Sequence, residues 1–189
     1  TYYAAIDGKV EYCNYDLRIV NVLDISGDVD LNIGNIDFNG DVNITGNVIT
    51  GVTIRAMGSI YIGGYVEGAV IKSNKDIVLN KGVNANGIGQ IEAKGNISAH
   101  FFENAIVYAE GDVNAGYILS SKIMALGKVI VQGGRGTIHG GDVTGVMGIE
   151  TSNAGNASYA PTNLRIGATK KLRMDYANII CLLYTSDAA

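Results

Sequence analysis

Hydrophobic and polar positions alternate in short bursts along this chain, and the bursts recur. A glycine–polar–Val/Ile phrase reads GDVNI from Gly40, GSIYI from Gly58, KDIVL from Lys75, GNISA from Gly95, GDVNA from Gly111 and GKVIV from Gly127. The steps between them are 18, 17, 20, 16 and 16 residues. Within each phrase the third and fifth residues are apolar across a polar or variable one, the period-2 signature of a strand with one buried face. This predicts two interior columns, Val42–Ile60–Ile77–Ile97–Val113–Val129 and Ile44–Ile62–Leu79–Ala99–Ala115–Val131.

A second phrase keeps step with the first: VTIRA (52–56), AVIKS (69–73), GQIEA (89–93), AIVYA (105–109) and SKIMA (121–125). Its central residues Ile54, Ile71, Ile91, Val107 and Ile123 have small flankers on both sides, a pattern that suits a narrow interior where several walls meet. Between the two phrases runs a third column, Val48, Val66, Val83, Phe102 and Ile118. Three short strands per repeat follow. The register extends upstream to Leu23 and downstream to Ile166, giving about eight rungs over residues 22–166.

Such a repeat predicts an all-β fold, a single-stranded parallel β-helix (β-solenoid) in which each strand pairs with its equivalent one rung away. A lone rung cannot bury enough apolar surface to offset the entropy of ordering it, so rungs must come in series. Val42, Val48, Ile54, Ile60 and Val66 are spaced by six, as in left-handed hexapeptide solenoids. The spacing fails beyond Val66, and a right-handed helix is expected from the usual crossover preference. Glycine and asparagine at Gly46-Asn47, Gly63-Gly64, Asn86-Gly87 and Gly133-Gly134 mark corners, where positive φ is expected.

The ends read differently. Residues 1–21 are the expected end of an N-terminal domain or β cap, with Asp7-Gly8 between short alternating runs predicting a hairpin that covers the first rung. Leu172, Tyr176 and Ile179 fall at helical spacing behind Thr169 as N-cap, predicting the start of a C-terminal helix over 167–180. The tail CLLYTSDAA (181–189) continues no pattern and reads as a translated sequencing-adapter remnant.

Composition agrees with this picture. The 189 residues include 26 glycines but one proline, with 24 isoleucines and 17 valines, a strand-and-turn composition rather than a helical one. The net charge of −4 comes without a basic stripe, so no nucleic-acid surface is expected. No apolar run is long enough for a membrane span. Cys13 and Cys181 match no metal spacing and read as two reduced thiols.

Catalytic chemistry has few candidates. His100 and His139 are the histidines that an acyltransferase would need as general base, yet both read as solvated turn residues. A calcium-dependent polysaccharide lyase would need an acidic cluster on one wall. The ten outward positions of the second phrase, from Thr53 and Arg55 to Lys122 and Met124, hold one carboxylate, Glu92. The glycine-rich run 133–137 lacks the lysine-Ser/Thr ending of a phosphate loop. Glycosylation triplets at Asn43, Asn96 and Asn156 are mostly the strand repeat itself. Neither a metal nor another cofactor is expected, and no catalytic residue. What remains is surface: Ile106, Tyr108, Met124 and Ile130 face outward on neighbouring rungs as a possible protein interface.

The phrases IDGKVEY (6–12), ISGDVDLNIGNIDFNGDVNITGNV (25–48), GAVIKS (68–73), GQIEAKGNISAHFFENAIVYAEGDV (89–113) and GGRGTIHGG (133–141) resemble the β-solenoid region of the flagellar assembly protein A family. The likeness runs from about residue 4 to 175. It implies a bacterial, cytoplasmic, non-enzymatic solenoid flanked by an N-terminal domain and a C-terminal coiled-coil hairpin. It also implies a three-sided right-handed helix similar to self-assembling bactofilins and to the C-terminal domain of the septum-site inhibitor of cell division. Lys75 departs from the glycine usual in that repeat, and 154–161 from a Gly-Thr-Pro-like loop. A scaffold in flagellar assembly or polar organisation is therefore expected, working through protein partners or further copies of itself, with no small-molecule substrate. A solenoid enzyme and a surface adhesin are the alternatives.

Overall fold

The computed structural model describes residues 9–13, 16–155 and 160–167, with side chains described from residue 21 onward. The expected C-terminal helix and the 181–189 tail lie outside the described residues. Lys9–Cys13 (β1) and Asp16–Val20 (β2) pair antiparallel as a separate two-stranded sheet. The chain reverses between Cys13 and Asp16, which oppose each other, while Asp7-Gly8, where the sequence predicts a hairpin, lies outside the described residues.

Everything else in the described chain forms one 18-stranded sheet wound into eight rungs. The first rung holds Val22–Ile25 (β3), a bridge at Val29 and Ile36–Phe38 (β4). The second holds Asp41–Ile44 (β5), a bridge at Val48 and Thr53–Ala56 (β6). The third holds Ile60–Ile62 (β7), Tyr65–Glu67 (β8) and Val70–Ser73 (β9). The fourth holds Ile77–Leu79 (β10), Gly82–Asn84 (β11) and Gln90–Ala93 (β12). From there strands run through corners. Ile97–Glu103 (β13) covers two walls before Ile106–Ala109 (β14), and Val113–Ala125 (β15) makes all of the sixth rung. Lys128–Val131 (β16) and Thr137–Gly145 (β17) form the seventh. Gly148–Thr151 (β18), Asn153–Ala154 (β19) and Thr162–Ile166 (β20) form the eighth.

All inter-rung pairings are parallel and follow the predicted register. Ile54 pairs with Ile71, Ile71 with Ile91, Ile91 with Val107, and Val107 with Ile123. Val66 pairs with Val83, Val83 with Phe102, and Phe102 with Ile118. These residues are at most 1% exposed and belong to one continuous core cluster. The small flankers stay buried as well. Ser73, the polar one among alanines, donates to the Gly58 carbonyl at 2.6 Å, so its burial leaves no orphan hydroxyl.

The walls are numbered here in chain order, the first carrying β3, the second Val29 and the third β4. Between second and third walls, Gly68, Asn104, Ser120 and Gly140 turn the corner in left-handed conformation, with φ of 42°, 47°, 46° and 65°. Gly46, Gly63 and Gly64 are a correction to expectation: they carry no positive φ. Space is the constraint there. A β-carbon on Gly46 or Gly64 would collide with the side-chain oxygen of Asp28 or Asn47 one rung below. Those oxygens accept from the backbone N–H of Asn47 at 2.7 Å and of Tyr65 at 2.8 Å.

Candidate interaction surfaces

Because the interior is packed with aliphatic side chains, Phe102 and a few hydrogen-bonded serines, the surface left for recognition is the outward side chains. On the third wall, β14 and β15 place Ile106 opposite Lys122 and Tyr108 opposite Met124. Ile106 is 42% exposed, while Tyr108 and Met124 are half-buried. These three form a contiguous, largely apolar patch. Charged pairs bracket it along the axis: Lys72–Glu92 at 2.6 Å below and Arg165–Asp142 at 3.1 Å above. An apolar centre with a polar border is the usual composition of a protein contact. Ile130 does not join this patch. It lies on β16 of the first wall, opposite Asn114.

The second wall carries a feature that the sequence reading passed over. The residues immediately before the interior column Val66–Val83–Phe102–Ile118 point outward, and they are Tyr65, Gly82, Phe101 and Tyr117. Phe101 and Tyr117 stack with ring centroids 5.1 Å apart and planes 11° from parallel. Tyr65 meets Phe101 at 6.2 Å across Gly82, whose missing side chain makes room for the Phe101 ring. An aromatic ring laid over a strand glycine shields backbone that would otherwise face water. Lys81 sits 4.9 Å from the Tyr65 centroid and Arg135 5.6 Å from that of Tyr117, so a cation covers each terminal ring. The Tyr117 hydroxyl donates to Glu103 Oε1 at 3.0 Å. Burial, followed by this bond to a carboxylate, pushes the Tyr117 phenol above its ordinary pKa. The signal was legible as a period-locked aromatic column one place before the aliphatic one.

His100 and His139 lie in strands β13 and β17, not in turns, and His100 meets Phe101 edge-on at 6.5 Å. Among the described residues no group of three or more His, Cys, Asp or Glu is placed to hold a metal ion. The glycosylation-like Asn43 and Asn96 serve the solenoid: Asn43 donates to Asp24 at 3.1 Å, and Asn96 accepts from the backbone of Asp112 at 2.8 Å.

Eight parallel rungs, this phrase register and these corner ladders meet in one comparison. The family model of the Flagellar Assembly Protein A beta solenoid domain matches residues 21–183. The chain belongs to that family. No curated protein and no solved structure matches it. The start of the flagellar assembly protein A match coincides with the start of the solenoid, one residue before β3. Among its described residues this family member has no helix long and apolar enough to cross a membrane.

Proposed function

We propose that this chain is a non-enzymatic, cytoplasmic scaffold that holds protein partners, or further copies of itself, along its walls during bacterial flagellar assembly or polar organisation. The observation that supports this most is the combination of an unbroken apolar interior with the Ile106–Tyr108–Met124 patch on a rigid wall. Parallel rungs bonded to their neighbours resist bending, so the wall keeps its outward side chains at fixed spacing. Such a surface suits docking of a preformed partner with little ordering cost.

Complementation tests the reading. In a flagellated host lacking its own copy, the full-length gene carrying Ile106→Asp and Tyr108→Asp should give normal protein abundance and few flagella. Full flagellation by that variant would remove the third wall from the proposal. Light scattering of the full-length protein tests self-association: mass rising with concentration supports it, and a strict monomer removes it. His100→Ala and His139→Ala should leave flagellation intact.

A further inference from the structure

Where the first wall meets the second, an open groove of about 570 Å³ crosses four rungs. Its floor is the outward column Val78, Ser98, Asn114 and Ile130, and its border is the corner column Asn80, His100, Gly116 and Gln132. Gly116 makes the notch, being the one border position without a side chain. A β-carbon there would also press on the His100 carbonyl at 2.7 Å. We propose that this groove binds a neutral, linear glycan lying along the solenoid axis.

Three observations carry the assignment. The first is charge: apart from His100, no ionisable side chain lines the groove, so neither an anionic nor a cationic ligand finds a counter-ion. The second is hydrogen-bonding character. Asn80, Asn114 and Gln132 amides and the Ser98 hydroxyl each offer both donor and acceptor, which matches sugar hydroxyls that do the same. Several outward polar side chains elsewhere pair from rung to rung, as Asn43 with Asp24, Lys128 with Glu150, and Asn163 with Asp142. In the groove, Ser98 and Asn114 are adjacent in register and make no such bond. Val78 and Ile130, one at each end of the floor, offer apolar surface to the C–H faces of a sugar ring.

The third observation is spacing. Rungs recur at about 4.8 Å, whereas an extended peptide advances about 3.3 Å per residue and falls out of step. One pyranose unit of a linear glycan spans close to one rung. The wall's backbone N–H and C=O groups are moreover engaged between rungs, which leaves recognition to side chains. The volume is that of an ordinary small-ligand site.

The experiment is an amide-resolved NMR titration of the protein with maltohexaose, cellohexaose and xylohexaose, and with an oligogalacturonate as the charged control. Shifts from at least one neutral oligomer should concentrate at residues 78–80, 98–100, 114–116 and 130–134. Ser98→Ala and Asn114→Ala should each weaken that binding, Asn114→Ala by roughly tenfold, the loss of about one net hydrogen bond. Asn114→Trp, which fills the groove from an outward position, should abolish it. The third-wall variant Ile106→Asp should bind normally, which separates this site from the docking patch. Silence from all three neutral oligomers overturns the proposal. So does tighter binding of the galacturonate, or binding unchanged in both alanine variants.

Discussion

Asp112 accepts a hydrogen bond from the backbone N–H of Lys128 one rung above, at 2.7 Å, and its carboxylate fills the space that a β-carbon on Gly127 would need. The same relationship recurs down the first wall. Asp41 serves Ser59 beneath Gly58, Asp76 serves Asn96 beneath Gly95, and Asn96 serves Asp112 beneath Gly111. At these four first-wall corners glycine is required, because the Asp or Asn one rung below that accepts from the following N–H occupies the space of a β-carbon. Gly127→Ala should destabilise the protein by about 1–3 kcal/mol through overpacking. Asp112→Ala should cost about 1 kcal/mol for the lost bond. The double variant should be less damaged than the sum, by about 1 kcal/mol of coupling, since removing the carboxylate relieves the tightest of the methyl's contacts and leaves that with the Gly111 backbone. Urea denaturation of the four proteins checks this.

The rule explains the one irregular member of the repeat. Lys75 stands over Gly58, and the residue beneath the following position is Ser59, whose side chain is too short to fill the space of a β-carbon. Met147, over Gly127, and Lys81, over Gly64, likewise have no Asp or Asn beneath the following position, where Lys128 and Tyr65 stand. Lys75→Gly is therefore expected to be near neutral. Ser59→Asp should lower the melting temperature while Lys75 remains, and the pair Ser59→Asp with Lys75→Gly should restore it. Thermal unfolding by circular dichroism distinguishes these outcomes.

Burial predicts a sharp contrast between neighbouring residues of one strand. Val107 is 1% exposed and Ile106 42%. Val107→Ala should cost about 2 kcal/mol, while Ile106→Ala should change stability by no more than about 0.5 kcal/mol. Phe102→Ala, which empties the largest buried side chain, should cost about 3–5 kcal/mol. Denaturant midpoints at constant slope provide the measurement.

The aromatic ladder contributes on the outside. Phe101→Ala removes both ring contacts, with Tyr65 and with Tyr117, and should cost about 1–3 kcal/mol. Phe101→Leu keeps apolar cover over Gly82 and should recover part of the loss. If both variants match wild type in denaturant, the ladder adds nothing to stability.

Tyr117 gives the ladder a pH signature. Its folded pKa is raised above the ordinary tyrosine value, so the folded state holds the phenolic proton more tightly than the unfolded chain. The associated stability is present in full below the unfolded pKa of about 10 and is lost as pH rises through the folded value. Tyrosine-selective NMR titration should show Tyr117 titrating late. Glu103→Gln should bring it part of the way back, because burial, the larger cause, remains.

Much of this fold is written in one dimension. A β-solenoid converts sequence period directly into spatial stacking, so the columns from Val42 to Val129 and from Ile54 to Ile123 could be read as neighbours before any coordinates. The β1–β2 pairing lies outside that logic, because two strands that occur once carry no period from which their register could be read.

By itself, then, the sequence determined the class, the rung count, the interior columns and the absence of helix from the repeat, since a buried period tolerates one arrangement only. Tertiary structure alone decided the outside. Which wall a residue occupies depends on where each corner falls, and rungs of 16, 17 and 20 residues shift those corners. That is why Ile130, close in sequence to Met124, stands on another wall, and why Tyr65, Phe101 and Tyr117, far apart along the chain, share one stack.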